Sequence, residues 1–308
     1  MLNNPNYFTG NPLDRASDKR KDETFVATQL AHEEARMAVF WRGQPLMTTP
    51  IEDATESFVL WLHPDSVSQF KGAGTPLFLG LKDATPYFAL DVSASAPEAE
   101  IAPFSEMGVY GQLREFGLIL PRDELAILGQ AAWLIDWHRR NRFCPRTGAP
   151  TKIGDGGAKR VEPKAERDYF PRIDPVAIVL PTHDDHCLLG RSPHFPPAMY
   201  SALAGFMEPG ESLEECAARE IFEEAGVVLS DISYQFSQPW PFPASLMVGF
   251  LATAQGKEIT LDKEELEDAR WVTRGEVQAL LKGERRDDLW LPPKFAIARQ
   301  LLEVWAGG

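Results

Sequence analysis

The sequence predicts an α+β protein: a smaller, predominantly β N-terminal domain, followed by a domain in which strands surround one acidic helix. Three observations carry that reading. Residues 57–62, 76–81 and 87–91 are short apolar runs separated by Gly, Pro and Asp turn signals. From Asp123 onward the apolar spacing switches to a helical period. Beyond Asp174, strand-like runs flank a segment that opens with a capping pattern and closes on a glycine.

Residues 1 to about 30 hold Asn4, Pro5, Asn11, Pro12 and a charged run at 18–23, which predicts irregular surface chain with one short docked piece. The three strands that follow predict an antiparallel structural domain. Leu125, Leu128, Ala132 and Ile135, with Ala131, Leu134 and His138, then fit a single helix reaching towards Arg140. Trp133 and Trp137, four positions apart, are spaced to pack together along it. Residues 144–150 and 154–157 predict a loop-rich connector. It contains Cys144 without the further soft or imidazole ligands at suitable spacing that a closed zinc site requires.

In the second domain, residues 174–180 and 187–191 read as strands around a turn at 183–186. Residues 200–206 lead into a glycine-containing loop, 246–253 form a core strand, and 295–304 a final helix. The boundaries expected are 1–122, 123–172 and 173–308.

With 308 residues, 44% of them hydrophobic, the chain can bury the cores of two domains. Its 31 basic and 45 acidic side chains give a formal charge of -14, which argues against a broad positive surface for nucleic acid. A polyanionic substrate stays compatible with that balance, because bound divalent cations reverse the local field. Cys144, Cys187 and Cys216 are an odd number with no close pairing, so a reducing compartment is expected rather than a disulfide framework. The first residues lack a basic region followed by an apolar stretch, and no run approaches the roughly 18 to 20 apolar residues that span a bilayer. A soluble cytoplasmic protein with no membrane partner is expected.

The chemistry concentrates in 205–227. Ser212 and Glu215 form a Ser-x-x-Glu capping box, and Gly226 is placed to end the helix at positive φ. Glu220 lies three residues before Glu223 and four before Glu224, so the three carboxylates face one region. Leu213, Ala217 and Ile221 form an apolar stripe that anchors the helix. Crowded carboxylates repel, and oxygen-coordinated Mg²⁺ or Mn²⁺ would compensate them. A glutamate cluster standing alone reads as a solvated helix face; here Gly205, Glu211, Arg219 and Gly226 accompany it at fixed distances.

That full spacing, Gly-x5-Glu-x7-Arg-Glu-U-x-Glu-Glu-x-Gly-U with U aliphatic, resembles the signature of the Nudix hydrolase family. The resemblance implies a Nudix α/β/α sandwich with a mixed sheet, hydrolysing a diphosphate linkage with two or more Mg²⁺ or Mn²⁺ ions. Arg219 would orient the acids. Glu220, Glu224 and Glu265 would be the leading metal ligands, with Glu223 as a further ligand or water-orienting group and Ala204 as the backbone metal-loop candidate. Glu265 follows from the register of 264–271, with Glu264 and Glu267 as local competitors. Either Glu224 or Glu265 could be the base.

Residues 237–247 combine Pro239, Pro241 and Pro243 with Trp240, Phe242 and Ala244, and place Gln238 and Ser245 as hydrogen-bonding groups. The stretch resembles the motif of the NADH pyrophosphatase branch and is read as a substrate-recognition loop. The branch also implies Phe206 and Phe170 as a clamp on the nicotinamide ring, Phe170 standing where tyrosine is frequent, and Ala298 as a small position near the nucleotide. The implied reaction converts NADH and water to reduced NMN and AMP, with NAD⁺ as a poorer substrate and NAD-capped RNA as a further one. Relatives carry two Cys-x-x-Cys pairs where this chain has Cys144, Thr147, Pro163 and Glu166, so no structural zinc is expected. A homodimer is implied. The alternatives are an ADP-ribose or coenzyme A diphosphatase, or a catalytically weak nucleotide sensor.

Overall fold

The computed structural model describes residues 4, 6–48, 58–67, 70, 72–98 and 101–307. Two compact units divide the chain: Phe8–Arg172 with Pro241–Ala244, and Met1–Tyr7 with Ile173–Trp240 and Ser245–Gly308.

The N-terminal unit contains α1 (Glu23–Leu30), β1 (Arg36–Trp41), β2 (Gln44–Met47), α2 (Pro64–Val67), β3 (Leu77–Lys82), β4 (Thr85–Asp91), β5 (Val109–Tyr110) and α3 (Arg122–Arg140), then β6 (Lys152–Gly154), β7 (Lys159–Glu162) and β8 (Arg167–Tyr169). Its main sheet runs β3-β4-β1-β2-β5, and β1 pairs with β4 in parallel. The expectation of a purely antiparallel domain is therefore corrected. The cause is β1, which the strand pattern does not announce: it is central, five of its six residues are buried, and it has no polar alternation. Residues 58–62 are not a regular strand but make isolated bridges, Val59 to Met47 and Leu62 to Met37; Ser57 lies outside the described residues.

Helix α1 replaces part of the expected irregular chain, its N-cap Asp22 accepting from the Thr24 amide, and Phe8 and Leu13 upstream are buried. Helix α3 follows its periodicity closely, with Asp123 and Glu124 in the first turn and His138, Arg139 and Arg140 in the last, the arrangement the helix dipole favours. Trp133 donates through Nε1 to the Arg172 carbonyl, and the Trp137 ring meets His138 edge-on. The connector is not loop-rich throughout. It contains a three-stranded sheet, β6-β7-β8, whose strands of three to four residues are too short to show a period. At its start the Thr147 amide donates to Cys144 Sγ at 3.3 Å and Tyr169 Oη lies 2.8 Å from the same sulfur; the Thr147 side chain first, then Tyr169, pulls the thiol down to about 7. Glu162, buried on β7, accepts from the amides of Lys164 and Ala165.

The second unit contains β9 (Asp174–His183), β10 (His186–Arg191), β11 (Leu203–Phe206), α4 (Leu213–Ala225), β12 (Leu229–Trp240), β13 (Ser245–Ala254), β14 (Asp268–Thr273), α5 (Arg274–Leu281) and α6 (Ile297–Gly307). The sheet runs β12-β13-β9-β10-β14 with β11 also on β9, and only β13 and β9 pair in parallel among these strands. Strand β9 explains the sandwich. Ala177 and Val179 pack with Ala217 and Ile221 of α4, whereas Ile178 and Leu180 pack with Leu301 and Leu302 of α6. Alternate residues thus meet a helix layer on each face, so the strand reads as an unbroken apolar run.

Residues 237–247, expected as a loop, are mostly strand. β12 continues to Trp240, β13 starts at Ser245, and Gln238, Pro239 and Trp240 lie opposite Met247, Leu246 and Ser245. Pro239 is accommodated because β12 lies at the sheet edge, where a missing amide donor disrupts no second ladder. Only the hairpin tip, 241–244, is turn, and it clusters with the N-terminal unit.

Candidate active site

Helix α4 begins where the capping box sets it. The Glu215 amide donates to Ser212 Oγ at 3.2 Å and the Ser212 amide donates to Glu215 Oε2 at 2.6 Å. It ends at Gly226, φ 70°, with the Gly226 amide on the Phe222 carbonyl. A Cβ on Gly226 would also fall 2.7 Å from Thr260 Cβ, so glycine answers both conformation and space. Between these caps Ala217 and Ile221 are fully buried, which turns the carboxylate face the other way.

Arg219 organises that face. Its Nε donates to Glu211 Oε2 at 3.0 Å, Nη2 to Glu211 Oε1 at 2.6 Å and to the Phe206 carbonyl at 3.0 Å, and Nη1 to Glu220 Oε1 at 2.8 Å and Glu223 Oε2 at 2.9 Å. All five guanidinium donors are engaged, a geometry lysine cannot copy. The bidentate pairing, with help from the Glu208 amide, holds the Glu211 carboxyl down to about 2. Gly205 on β11 leaves the space for Glu220: a Cβ there would lie 1.8 Å from Glu220 Cδ.

Glu224 is different. It is 6% exposed, its Oε2 has no hydrogen-bond partner among the described residues, and burial, followed by the charges of Glu220, Glu265 and Glu223, pushes its carboxyl up to about 8. Glu220 is also raised, mainly by burial, with Arg219 acting against the shift. Glu224 and Glu265 line one cavity of about 290 Å³ together with Ala204, Phe195 and Ser192. Glu265 is carried there by backbone ties. The Thr260 amide bonds to the Ala225 carbonyl, the Asp262 amide to the Glu224 carbonyl, and Leu266 is buried beside them. These ties use only main-chain groups, so residue types do not reveal them. Of the local competitors, Glu267 is paired with Arg191 Nε at 2.6 Å, and neither it nor Glu264 is among the residues lining that cavity.

Among the described residues no three of these side chains are gathered tightly enough to hold an ion as they stand. Glu220 and Glu223 are drawn onto Arg219, the cation available to them.

The remaining expected positions fall in several places. Phe206, on β11, is 61% exposed, and Phe170, just past β8 in the N-terminal unit, is 68% exposed. Gln238 is fully buried: Nε2 donates to the Tyr7 and Phe295 carbonyls and Oε1 accepts from the Ile297 amide, so its amide ties three backbone segments together. Trp240 stacks on Phe295 at 5.9 Å and 15°. Ser245 is buried at the start of β13, and Ala298, in the first turn of α6, is buried in the core. At the hairpin tip, Phe242 packs edge-on against Phe8 under the Arg114 guanidinium, and Pro241 lies beside Gly129 of α3; Pro243 is exposed and Ala244 half-buried. Among the described residues no helix is long and apolar enough to cross a membrane.

Comparison with known proteins places these features. Residues 171–292 match the model of the NUDIX domain, and residues 34–137 match that of the NADH pyrophosphatase-like rudimentary NUDIX domain. The chain is 35% identical over 340 residues to the human NAD-capped RNA hydrolase NUDT12, covering 97% of this chain and 73% of that protein. It is 39% identical over 250 residues to the human mitochondrial NAD(P)H pyrophosphatase NUDT13 (77% and 69% covered), and 40% identical over 222 residues to the Mycobacterium bovis NAD-capped RNA hydrolase NudC (68% and 71% covered). With a complete signature helix and both domains matched, the chain belongs to the Nudix hydrolases, in the branch that joins a NADH pyrophosphatase-like domain to the catalytic NUDIX domain.

Proposed function

We propose that the chain hydrolyses the diphosphate bond of NADH, and of NAD⁺, to AMP and reduced or oxidised NMN, and removes NAD caps from RNA by the same cleavage. The observation that carries the reading is the desolvated, unpartnered carboxylate of Glu224, which shares a cavity with Glu265 at the end of a complete signature helix. The substrate assignment is supported by the relatives, whose names specify NAD(P)H and NAD-capped RNA.

The donor set fits divalent cations of the Mg²⁺ or Mn²⁺ type: hard carboxylate oxygens, one of them buried without a partner. Glu220, Glu223, Glu224 and Glu265 would hold the ions, with the Ala204 carbonyl as a further ligand. Bound, the ions would neutralise the diphosphate oxygens and lower the pKa of the attacking water. Water adds to one phosphorus, the bridging P–O bond breaks, and the second phosphate leaves on its nucleotide. Glu224 or Glu265 takes the proton that water gives up. Arg219 positions Glu220 and Glu223 through its fork. Phe206 supplies an exposed aromatic face for the nicotinamide ring, and Phe170 is the other exposed aromatic that the family pattern names for it. Residues 173–308 form the catalytic domain in this reading, residues 1–122 and 123–172 the structural domain and connector, and the working assembly is a homodimer.

Quantifying AMP and reduced NMN formed from NADH with Mg²⁺ or Mn²⁺ tests the reaction. NAD⁺, ADP-ribose, coenzyme A and NAD-capped RNA assayed in parallel test the substrate. Preference for ADP-ribose or coenzyme A would overturn the substrate class and keep the chemistry. Binding without metal-dependent product would make the protein a sensor.

A further inference from the structure

A second pocket, of about 500 Å³, is lined wholly by the N-terminal unit. Its lining includes Arg160 of β7, only 7% exposed and without an acidic partner among the described residues. Neutral groups hold it instead. Nε donates to Thr151 Oγ1 at 2.6 Å, Nη2 to the Thr151 carbonyl at 2.9 Å, and Nη1 lies 3.1 Å from His138 Nδ1 and 3.4 Å from the His138 carbonyl. His138 Nε2 lies 2.8 Å from the Gly157 carbonyl, so the ring donates there and offers Nδ1 as an acceptor. Four of the five guanidinium donors are engaged in this way, and one on Nη2 is left over.

Burying an unpaired guanidinium is costly, and this one has a second cation for a neighbour. Arg142, exposed at the pocket wall and without a carboxylate partner among the described residues, lies close enough to repel it. Of the other charges on the wall, Arg139 shares Asp136 with Arg140, and Asp91, which accepts from the neutral amide and hydroxyl of Ser93, keeps its negative charge, so Arg142 and Arg160 outweigh it and the lining stays net positive. Leu77, Ile135 and Ile153 add apolar surface to the lining, Ile153 as the cross-strand neighbour of Arg160. The volume lies within the range of pockets that hold organic ligands and exceeds the needs of a bare ion.

We propose that this pocket binds an organic phosphate, with the anion between Arg142 and the free donor of Arg160 and the organic group against the apolar side chains of the lining. The phosphate belongs to a mononucleotide or to the 5′ end of an RNA strand. Guanidinium groups suit phosphate because their planar donors match its oxygens. On a chain of net charge -14, such a pocket concentrates anions that the rest of the surface repels.

Calorimetric titration of the full chain, in chelator to keep catalytic-site affinity low, tests the proposal with AMP, a 5′-phosphorylated oligoribonucleotide and adenosine. AMP or the oligonucleotide should saturate a site whose affinity falls about tenfold in Arg142→Ala, the loss of one charge-assisted bond, and survives in Glu224→Gln. Arg160→Lys, which keeps the charge and loses the fork, should weaken it as well. Tighter binding of the oligonucleotide than of AMP assigns the phosphate to RNA; equal binding assigns it to the mononucleotide. Wild-type affinity in Arg142→Ala, binding of adenosine as strong as that of AMP, or loss of the site in Glu224→Gln would each overturn the proposal. Because Arg142 is exposed, its variant answers the question even if Arg160→Lys fails to fold.

Discussion

Each of the two units carries a mixed sheet with one parallel strand pair and a helix bearing acids, yet those acids differ in kind. On α3 of the N-terminal unit, Asp123 is matched by Lys82 at 3.0 Å, and Glu124 accepts from the Val59 amide and Trp61 Nε1. Both carboxylates serve the fold. On α4 of the catalytic unit, Glu220, Glu223 and Glu224 repel one another, and Glu224 is buried with an oxygen that bonds to nothing. The match of residues 34–137 to a rudimentary NUDIX domain makes the contrast one between related architectures. It teaches that the sandwich is compatible with either outcome. Reactivity comes from withholding partners from particular carboxylates, which costs stability that the surrounding core must offset.

The largest effect should separate these helices directly. Glu224→Gln is expected to lower turnover by roughly 10²- to 10⁴-fold with circular dichroism unchanged, while Glu124→Gln leaves turnover intact and lowers stability by about 1 kcal/mol. Near-wild-type kcat in Glu224→Gln would erase the distinction. Next, Gly205→Ala places a methyl where the Glu220 carboxylate sits and should reduce kcat by about 100-fold. The matched change Gly129→Ala meets Phe8 Cδ1 at 3.0 Å and should cost about 1 to 3 kcal/mol in a denaturant melt without altering kcat.

Gln238→Leu tests the reassignment of a residue expected to recognise substrate. It strands the Ile297 amide and the Tyr7 and Phe295 carbonyls, so about 2 to 4 kcal/mol of stability should be lost, with KM unchanged in the folded fraction. A raised KM at unchanged melting temperature would restore the recognition role.

The most diagnostic effect is opposite pH dependence, read as urea midpoints in chelator. His138 is held at about 4, below its ordinary 6.5, by burial and then by Arg160. Between those values the unfolded chain binds a proton that the folded chain refuses, so stability is full above 6.5 and is lost as pH falls through about 4. Glu224 behaves conversely. The folded chain keeps the Glu224 proton up to about 8 while the unfolded chain releases it near 4.5, so stability is lost as pH rises across that window. His138→Gln should flatten the acid limb by at most about 3 kcal/mol and Glu224→Gln the alkaline limb by at most about 5 kcal/mol. One limb responding to both substitutions would refute the separate assignment.

Legibility in the sequence followed the physics of each element. Helix α3 and helix α4 were readable because side-chain spacing, caps and dipole-matched charges are local properties. Strand β1 was not, because a central strand buried on both faces loses the alternation that marks a strand. Residues 237–247 read as a loop because prolines and aromatics suggest turns, whereas an edge strand tolerates Pro239 without breaking a ladder. The three-stranded sheet of the connector left no period in strands of three or four residues.

For the site, residue types and spacing alone determined the capped helix, its carboxylates at one face, the arginine among them and the glycines at either end. These depend on the rise and turn of one helix and on the φ that only glycine adopts freely. The tertiary structure decided which carboxylate is left without a partner, how the loop bearing Glu265 reaches the same cavity as Glu224, and that Gln238 holds backbone rather than facing solvent. Those outcomes rest on main-chain hydrogen bonds and burial between segments distant in sequence, and a main-chain bond requires no particular side chain to make it.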